Sequence, residues 1–453
     1  MMAWLDLLRE LLAASFSLLL FPWRIFRSIR NLSERRFEFQ QLQHAAVPPQ
    51  PAAVAVPSKP LRKVFISCGD MSGESHALRL VEELRKQYPE VEISGFGGVR
   101  LSAAGVEIWQ GLANLNVMGF ADVARKLPLF FSCVLKFASE VRRQRPQVVV
   151  LIDYPGLNQR LLRICKRIGV PVVDYIAPQL WAWGGWRVED FKQADALLTI
   201  LPFEEDWYRR HGAKASYVGH PLGDGLKAAL KVESQIPTEF ADNLEQTWVG
   251  LLPGSRISEI KRNLPLMLEA AAVLQRRRPG IRFLLPHLRG EVWPLIDKLL
   301  ARTNLQVVKA PDCFHRAIPH LKAAMVTSGT ASLEVAAHGV PNIVVYAITS
   351  TVKEWLTRRV VAVPWAGSLN LIASDQLAPE HLGGEIDPLE MASDIETLLD
   401  GKQRKLFLTR VKALSPHFST PGCAARAAQA VIAVARFPEP EENAQGEHTI
   451  TGE

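Results

Sequence analysis

A chain of 453 residues is too long for one ordinary hydrophobic core, and 48% apolar against 22% charged residues excludes a disordered protein, so two globular domains are expected. The net charge of +7 is moderate, and no Lys/Arg run is interleaved with aromatics; this excludes a nucleic-acid groove and favours anionic lipid head groups or a nucleotide as partners. Five scattered cysteines, odd in number and without CxxC spacing, exclude a disulfide framework and a zinc site and fit a reducing compartment.

Leu11 to Trp23 is apolar apart from Ser15 and Ser17; Asp6, Arg9 and Glu10 precede it, and Arg24, Arg27, Arg30, Arg35 and Arg36 follow. A signal peptide carries its positive charge before the apolar run, not after it. As a helix the uncharged run reaches about 20 Å, against a hydrocarbon core of about 30 Å. Residues 1–36 are therefore predicted as a monotopic or half-inserted membrane anchor, with the arginines on head groups. A helix packed on its own domain is the alternative. Residues 37–60, rich in Ala, Pro and Val, read as a linker.

Residues 61–240 form the first predicted domain. Strands are expected at 63–67, 92–96, 148–152, 170–175 and 196–200, with helices between them, the alternation of a doubly wound parallel α/β sheet. Asp153 follows the 148–152 strand at its carboxyl end, where a carboxylate can accept a proton from a substrate hydroxyl; a turn or cap residue is the other reading. Trp181 and Trp183 lie beside Gly184-Gly185 on a loop and are read as a ligand-facing edge, with core packing as the alternative. The apolar stretch Leu127–Val141, closed by Arg142, Arg143 and Arg145, is either a buried helix or a lipid-facing one.

The second predicted domain, 241–436, opens with the strand Trp248–Leu252 and the turn Pro253-Gly254-Ser255-Arg256. Gly254 lets the backbone approach a ligand, the N–H groups of the following helix face an anion, and Arg256 supplies a forked donor for phosphate. Alternatively Ser255 merely caps the helix. Ile260, Leu264, Met267, Leu268, Ala271 and Leu274 then recur at helical spacing. A second strand, Ala323–Thr327, leads into Ser328-Gly329-Thr330, another anion-receptive turn, and Glu334 lies on the first turn of the helix, placed for ribose hydroxyls; capping by Ser328 and Thr330 and a solvated face for Glu334 are the alternatives. Two such turns describe a nucleoside diphosphate site better than either alone. Residues 437–453 are expected to be a disordered tail.

From about Lys63 to Ala435 these stretches, in order, resemble the lipid A disaccharide synthases, glycosyltransferases of the two-Rossmann-domain GT-B type. The matching motifs are Asn116-Val117-Met118-Gly119, Ile152-Asp153-Tyr154-Pro155, Pro178 with Trp181-Ala182-Trp183, Leu201-Pro202-Phe203-Glu204 and Val218-Gly219-His220. They continue with Leu252–Arg256, Ser328–Ala331 with Leu333-Glu334, and Ser368-Leu369-Asn370. The resemblance implies inverting transfer from UDP-2,3-diacylglucosamine to the 6-hydroxyl of 2,3-diacylglucosamine 1-phosphate, giving a β-1,6-linked disaccharide and UDP. It implies that Asp153 and Arg256 matter for activity and adds Asn370 to the nucleotide side. On the acceptor side it places Asp70, Ser72, Met118, Trp181 and Trp183. No Asp-x-Asp spacing occurs, so no metal or other cofactor is expected, and fixed dipoles with a guanidinium stabilise the leaving group. The expected location is the cytoplasmic face of the bacterial inner membrane, with pairing of two copies through the second domain left open. The first turn departs from the family's Gly-Glu-x-Ser-Gly-Asp: Asp70 and Glu74 have exchanged lengths. A UDP-sugar 2-epimerase and a non-catalytic glycolipid-binding paralogue are the rival readings.

Overall fold

In the computed structural model, described for residues 2–51, 60–69, 71–112, 120–229, 234–348 and 350–437, thirteen strands form two sheets. The first sheet contains β1 (Lys63–Cys68), β2 (Glu92–Gly97), β3 (Glu107–Gly111), β4 (Val148–Ile152), β5 (Val172–Tyr175), β6 (Ala196–Thr199) and β7 (Ala215–Tyr217). Its order is β3-β2-β1-β4-β5-β6-β7. The second contains β8 (Thr247–Leu252), β9 (Ile281–His287), β10 (Val307–Pro311), β11 (Ala323–Thr327), β12 (Asn342–Ala347) and β13 (Glu380–Gly383), in the order β10-β9-β8-β11-β12-β13. The pairings β1 with β2 and β4, and β8 with β9 and β11, are parallel. The architecture is the expected one of two parallel α/β sheets.

Strands such as β4, Val-Val-Val-Leu-Ile, are buried on both faces, which is why they read as unbroken apolar runs. Beside them Phe65 packs on Phe96, Trp109 and Phe137 with ring centroids 5.3, 4.8 and 4.9 Å apart. The 120–144 helix buries Cys133, Val134, Phe137, Ala138 and Val141, so this stretch of the Leu127–Val141 segment is core. In the second sheet Phe240 meets Trp248 edge-on at 4.9 Å. Helix Ile257–Arg277 buries the six apolar positions expected from its periodicity. All five cysteines are buried and none forms a disulfide.

By compactness the chain parts into Met1–Leu7, Ala53–Val173 and Ala428–Glu453 as one unit, and Leu8–Ala52 and Asp174–Ala427 as the other. That break falls within β5, whereas the sequence boundary at 240/241 lies between the two sheets.

The N-terminal segment forms three consecutive helices, Met2–Leu19, Phe21–Arg30 and Leu32–Gln40. Asp6, Leu7 and Glu10 face inward; Asp6 is ion-paired to Arg142 and, at 3.0 Å, to Arg167. Leu8, Leu12, Phe16, Leu19, Trp23 and Phe26 face outward. Among the described residues no helix is long and apolar enough to cross a membrane. Arg35, expected on head groups, is instead structural: it donates to Ser28 Oγ (2.7 Å) and to the carbonyls of Val360 (2.9 Å) and Ala182 (3.1 Å). Residues 43–51 of the expected linker lie against the second unit, Ala45 N–H on Pro202 O (2.8 Å) and Arg426 on Pro49 O (3.1 Å). Residues 438–453, expected to be a disordered tail, lie outside the described residues.

Candidate active site

In a doubly wound sheet the strand order reverses once, and the loops leaving the carboxyl ends of the two strands at that point diverge around a crevice. In the first sheet those strands are β1 and β4, with Cys68 beside Ile152. The turn at Gly69 and the residue Asp153 therefore leave the sheet edge side by side. Gly69 has no room for a side chain, since a Cβ would lie 2.1 Å from the Tyr154 ring. Asp153 is half-buried at φ +39, a left-handed conformation that Asp and Asn accept more readily than most residues.

Asn158, buried in the helix Pro155–Ile168, holds this turn. With its amide turned to donate to Ser67 Oγ (3.2 Å), its oxygen accepts from the N–H groups of Tyr154 (3.2 Å) and Ile152 (3.3 Å). Sequence reasoning passed over Asn158; the available signal was a polar residue on the apolar face of Leu157, Leu161 and Leu162. Ser72 is exposed, its Oγ 3.4 Å from His76 Nε2. Glu74 serves the fold: it is buried and accepts from Leu101 N–H (3.1 Å), capping the helix Val99–Ala103. Asp70 and Met118 lie outside the described residues.

In the second sheet the reversal falls between β8 and β11, where Leu252 pairs with Val326. The Gly254 and Ser328 turns are thus neighbours. Gly254 has φ +102, and an added Cβ would fall 2.6 Å from Glu259 Oε2. That carboxylate changes the expected chemistry of the turn. Glu259 Oε2 accepts from the N–H groups of Ser255 (3.1 Å) and Arg256 (3.2 Å), while its Oε1 takes Arg256 Nη1 (2.7 Å). Two backbone donors expected to face an anionic ligand are therefore already bound to an internal anion. The helix begins with Arg256, not Ser255, as its N-cap, and Glu259 three residues on reaches back to the N–H of Arg256, a spacing that was visible in the sequence. The guanidinium of Arg256 remains 38% exposed and is oriented by a nearly buried partner.

Three further side chains hold the turn, and sequence reasoning passed over them. Asn263, buried among Ile260, Leu264 and Met267, donates to Thr327 Oγ1 (2.9 Å) and accepts from Ala347 N–H (3.0 Å), tying β11 to β12. His287 Nδ1 accepts from Arg289 N–H (3.0 Å), so Nε2 carries the proton donated to Gly254 O (3.0 Å). Burial, the larger effect, lowers the pKa of this imidazole and keeps it neutral. Arg289 donates to Ser255 O (2.9 Å) and pairs with Glu291, bringing a second guanidinium to the turn.

Ser328 Oγ donates to Ala366 O (3.2 Å). Gly329 caps the helix Thr330–Ala337 at φ +145 with open space where a Cβ would be, and Thr330 is exposed. This helix start is the open one of the pair. Glu334 is half-buried on the same helix. Asn370, expected on the nucleotide side, is hydrogen-bonded within its own sheet and loop. It is wholly buried, its oxygen accepts from Leu377 and Ala378 N–H (2.9 and 2.8 Å), and its nitrogen donates to Ala378 O (2.7 Å) and Glu380 Oε1 (2.8 Å). Through Glu380, which also takes the N–H groups of Ala366 and Gly367, it shapes the loop that Ser328 touches.

Trp181, expected at a ligand-facing edge with core packing as the alternative, packs inward. It is buried, packs on Phe203 (4.9 Å) and Phe39 (5.9 Å), and donates Nε1–H to Glu204 Oε1 (3.0 Å). Burial pushes the Glu204 carboxyl up to about 7 despite donors from Leu201, Ile200 and Trp181. Trp183 remains exposed, edge-on to Trp186 at 5.9 Å.

A family model described as lipid-A-disaccharide synthetase matches residues 64–420. The chain is 36% identical over 369 residues to a lipid-A-disaccharide synthase of Syntrophus aciditrophicus, covering 81% of this chain and 96% of that protein. It is 34% identical over 380 residues to the corresponding synthase of Myxococcus xanthus, covering 82% and 97%. Among solved structures it resembles a putative UDP-N-acetylglucosamine 2-epimerase of Listeria monocytogenes at TM-score 0.57 and 15% identity, over 83% of this chain and 98% of that one. It also resembles MurG of Acinetobacter baumannii at TM-score 0.51 and 13% identity, over 82% and 99%. Those two likenesses show the two-sheet GT-B fold alone. The match across both sheets and the relatives aligned over four-fifths of its length show that the chain belongs to the lipid-A-disaccharide synthetase family of glycosyltransferases.

Proposed function

We propose that the chain condenses UDP-2,3-diacylglucosamine with 2,3-diacylglucosamine 1-phosphate to the β-1,6-linked disaccharide 1-phosphate and UDP, with inversion. The observation that carries this reading is Arg256, held half-exposed by Glu259 next to the turn that opens the Thr330–Ala337 helix, at the reversal point of the second sheet. The acceptor O6 attacks the donor C1; the O6–C1 bond forms as the C1–O bond to the diphosphate breaks, its electron pair leaving on UDP. Asp153 takes the hydroxyl proton. Arg256 and the N–H groups opened by Gly329 and Thr330 balance the charge that develops on the diphosphate. Gly254 and Ser255 give the turn its shape, Ser328 fixes the second turn, and Glu334 takes the ribose hydroxyls. Asp70, Ser72, Met118 and Trp183 serve the acceptor.

Residues 61–240 form the acceptor half and 241–436 the donor half, each built on one sheet. Residues 1–36 lie in the interface of the inner membrane at its cytoplasmic face. The outward apolar row of Leu12, Phe16 and Leu19 supports that placement. Deleting residues 1–36 would also strip Asp6 from two arginines and Arg35 from two carbonyls. Serine at positions 12, 16 and 19 is therefore the cleaner test of attachment, and retention of full membrane binding by that variant would defeat it. For the reaction, UDP release is followed with UDP-diacylglucosamine alone and with a panel of acylated glucosamine phosphates. Release only with acylated acceptor supports the transferase; interconversion of the UDP-sugar without acceptor would indicate an epimerase, and binding without turnover a glycolipid-binding protein.

A further inference from the structure

Trp355, on the helix Thr351–Val360, drew no attention in the sequence, yet it stands 52% exposed. Arg359 lies over its ring at 4.2 Å. The stacking recurs twice nearby, with the exposed Arg27 over Trp23 (5.5 Å) and Arg187, its guanidinium mostly buried, over the exposed Trp183 (5.7 Å). The elements carrying the three pairs touch one another. Helix Phe21–Arg30 packs on Thr351–Val360. Phe21 meets Trp186 at 6.5 Å, Trp186 meets Trp183 at 5.9 Å, and Arg35 bridges the carbonyls of Ala182 and Val360.

An indole has an apolar body and one polar edge, which suits the head-group layer of a bilayer better than bulk water. A guanidinium stacked on its face keeps its N–H fork available to phosphate oxygens while shedding part of its hydration. Carboxylates would oppose such a use. The helix Phe21–Arg30 contains none, and on Thr351–Val360 the one acid, Glu354, is taken by Arg358 and by Gly384 N–H (2.9 Å). Beside Arg187 the exposed Glu189 is paired with Lys192 (2.7 Å), so on the two helices what is left outward is aromatic and cationic.

We propose that the Trp355–Arg359 and Trp23–Arg27 pairs, with the exposed ring of Trp183 beside them, form one docking face for an anionic lipid bilayer, with Trp355 and Arg359 touching lipid directly. The inference rests on the acylated-substrate reading and extends it, because it gives a membrane contact to the segment 241–436 that sequence assigned to the nucleotide alone. The test is flotation of the full chain with vesicles of phosphatidylcholine, with and without about one-third phosphatidylglycerol, alongside UDP release on detergent-dispersed acceptor. Trp355→Ser is expected to weaken binding to both vesicle types about tenfold. Arg359→Gln is expected to weaken binding about fivefold on the anionic vesicles alone. Both variants should release UDP in detergent at the wild-type rate. Unchanged flotation of both variants would overturn the proposal, as would an equal loss of detergent activity, which would place Trp355 in the substrate site or the fold. Light scattering that shows a wild-type dimer becoming a monomer in Trp355→Ser would also overturn it, the face then being covered by a second copy. If the wild type releases no UDP with any acylated acceptor while flotation follows the expected pattern, the transferase reading fails and the docking face stands.

Discussion

Replacing Arg256 by alanine does two things at once, and a second substitution separates them. The first is loss of a charge-assisted contact to the departing diphosphate, about 1.5–3 kcal/mol. The second concerns Glu259, which keeps its place beneath Ser255 and Arg256 N–H but loses its cation. A carboxylate about 5 Å from a phosphate charge is repelled by about 3 kcal/mol at an effective dielectric of about 20. Solvent reaching a site where Arg256 was 38% exposed reduces this to about 1–2 kcal/mol. Together the two effects, about 2.5–5 kcal/mol, lower kcat/KM by about 70-fold to 5,000-fold. Arg256→Ala combined with Glu259→Gln removes the stranded charge while leaving an oxygen for one backbone N–H. The double variant should therefore recover about tenfold over Arg256→Ala alone. The assay is kcat/KM for the UDP-sugar on detergent-dispersed acceptor, with UDP affinity from calorimetry. Equal values for the single and double variants would show that Glu259 is not felt by the ligand, and wild-type values for Arg256→Ala would remove the diphosphate assignment.

Asp153→Asn keeps a residue that accepts φ +39 but removes the proton acceptor, so turnover should fall about 100-fold or more with UDP binding intact; loss of UDP binding instead would make Asp153 structural or a donor-site residue. Asn158→Ala should slow turnover through a loosened Asp153 turn and cost about 1–3 kcal/mol of stability, read by urea unfolding together with kcat, and an unchanged kcat would limit Asn158 to the fold. His220 is buried with its pKa pushed down to about 4, so its neutral form stabilises the fold above the unfolded value of 6.5 and that stability is lost as pH falls through 4. His220→Asn should therefore flatten the drop in urea midpoint between pH 6.5 and 4, and an identical drop would refute the burial argument. Asp6→Ala should speed hydrogen exchange in the helix Met2–Leu19, since it removes the partner of Arg142 and Arg167, and unchanged exchange would mean that the pairs do not hold the helix.

The strands were legible where they are buried on both faces. The expected 63–67, 148–152 and 323–327 lie within or match β1, β4 and β11, because an apolar run of that length between turn residues has few other uses. The reversal point of the second sheet was legible for the same reason, since Gly254 and Gly329 follow the apolar runs of β8 and β11. What escaped was whatever depends on a distant partner. Trp181 reads alike as ligand edge or core until Phe39 and Phe203 are seen to cluster with it. Asn370 looked free to meet a nucleotide until its four bonds to Leu377, Ala378 and Glu380 accounted for it. Glu259 was a different matter: its spacing from Arg256 was readable, but the motif was weighed for its glycine and cation, and the acid on the following turn was passed over.

The helix Met2–Leu19 has a consequence for how the chain is made. Its inward carboxylate, Asp6, waits for Arg142 and Arg167, which lie 136 and 161 residues further along the chain. At about 5–20 residues per second, synthesis leaves that interval open for about 10–30 seconds. Throughout it the helix has left the ribosome with an apolar row outward, an uncompensated acid on its other side, and no surface of its own protein ready to receive it. Ribosome-bound chains should accordingly be most vulnerable to capture by chaperones or by lipid before the 155–168 helix emerges, and release from that state is timed by the synthesis of Arg142 and then Arg167.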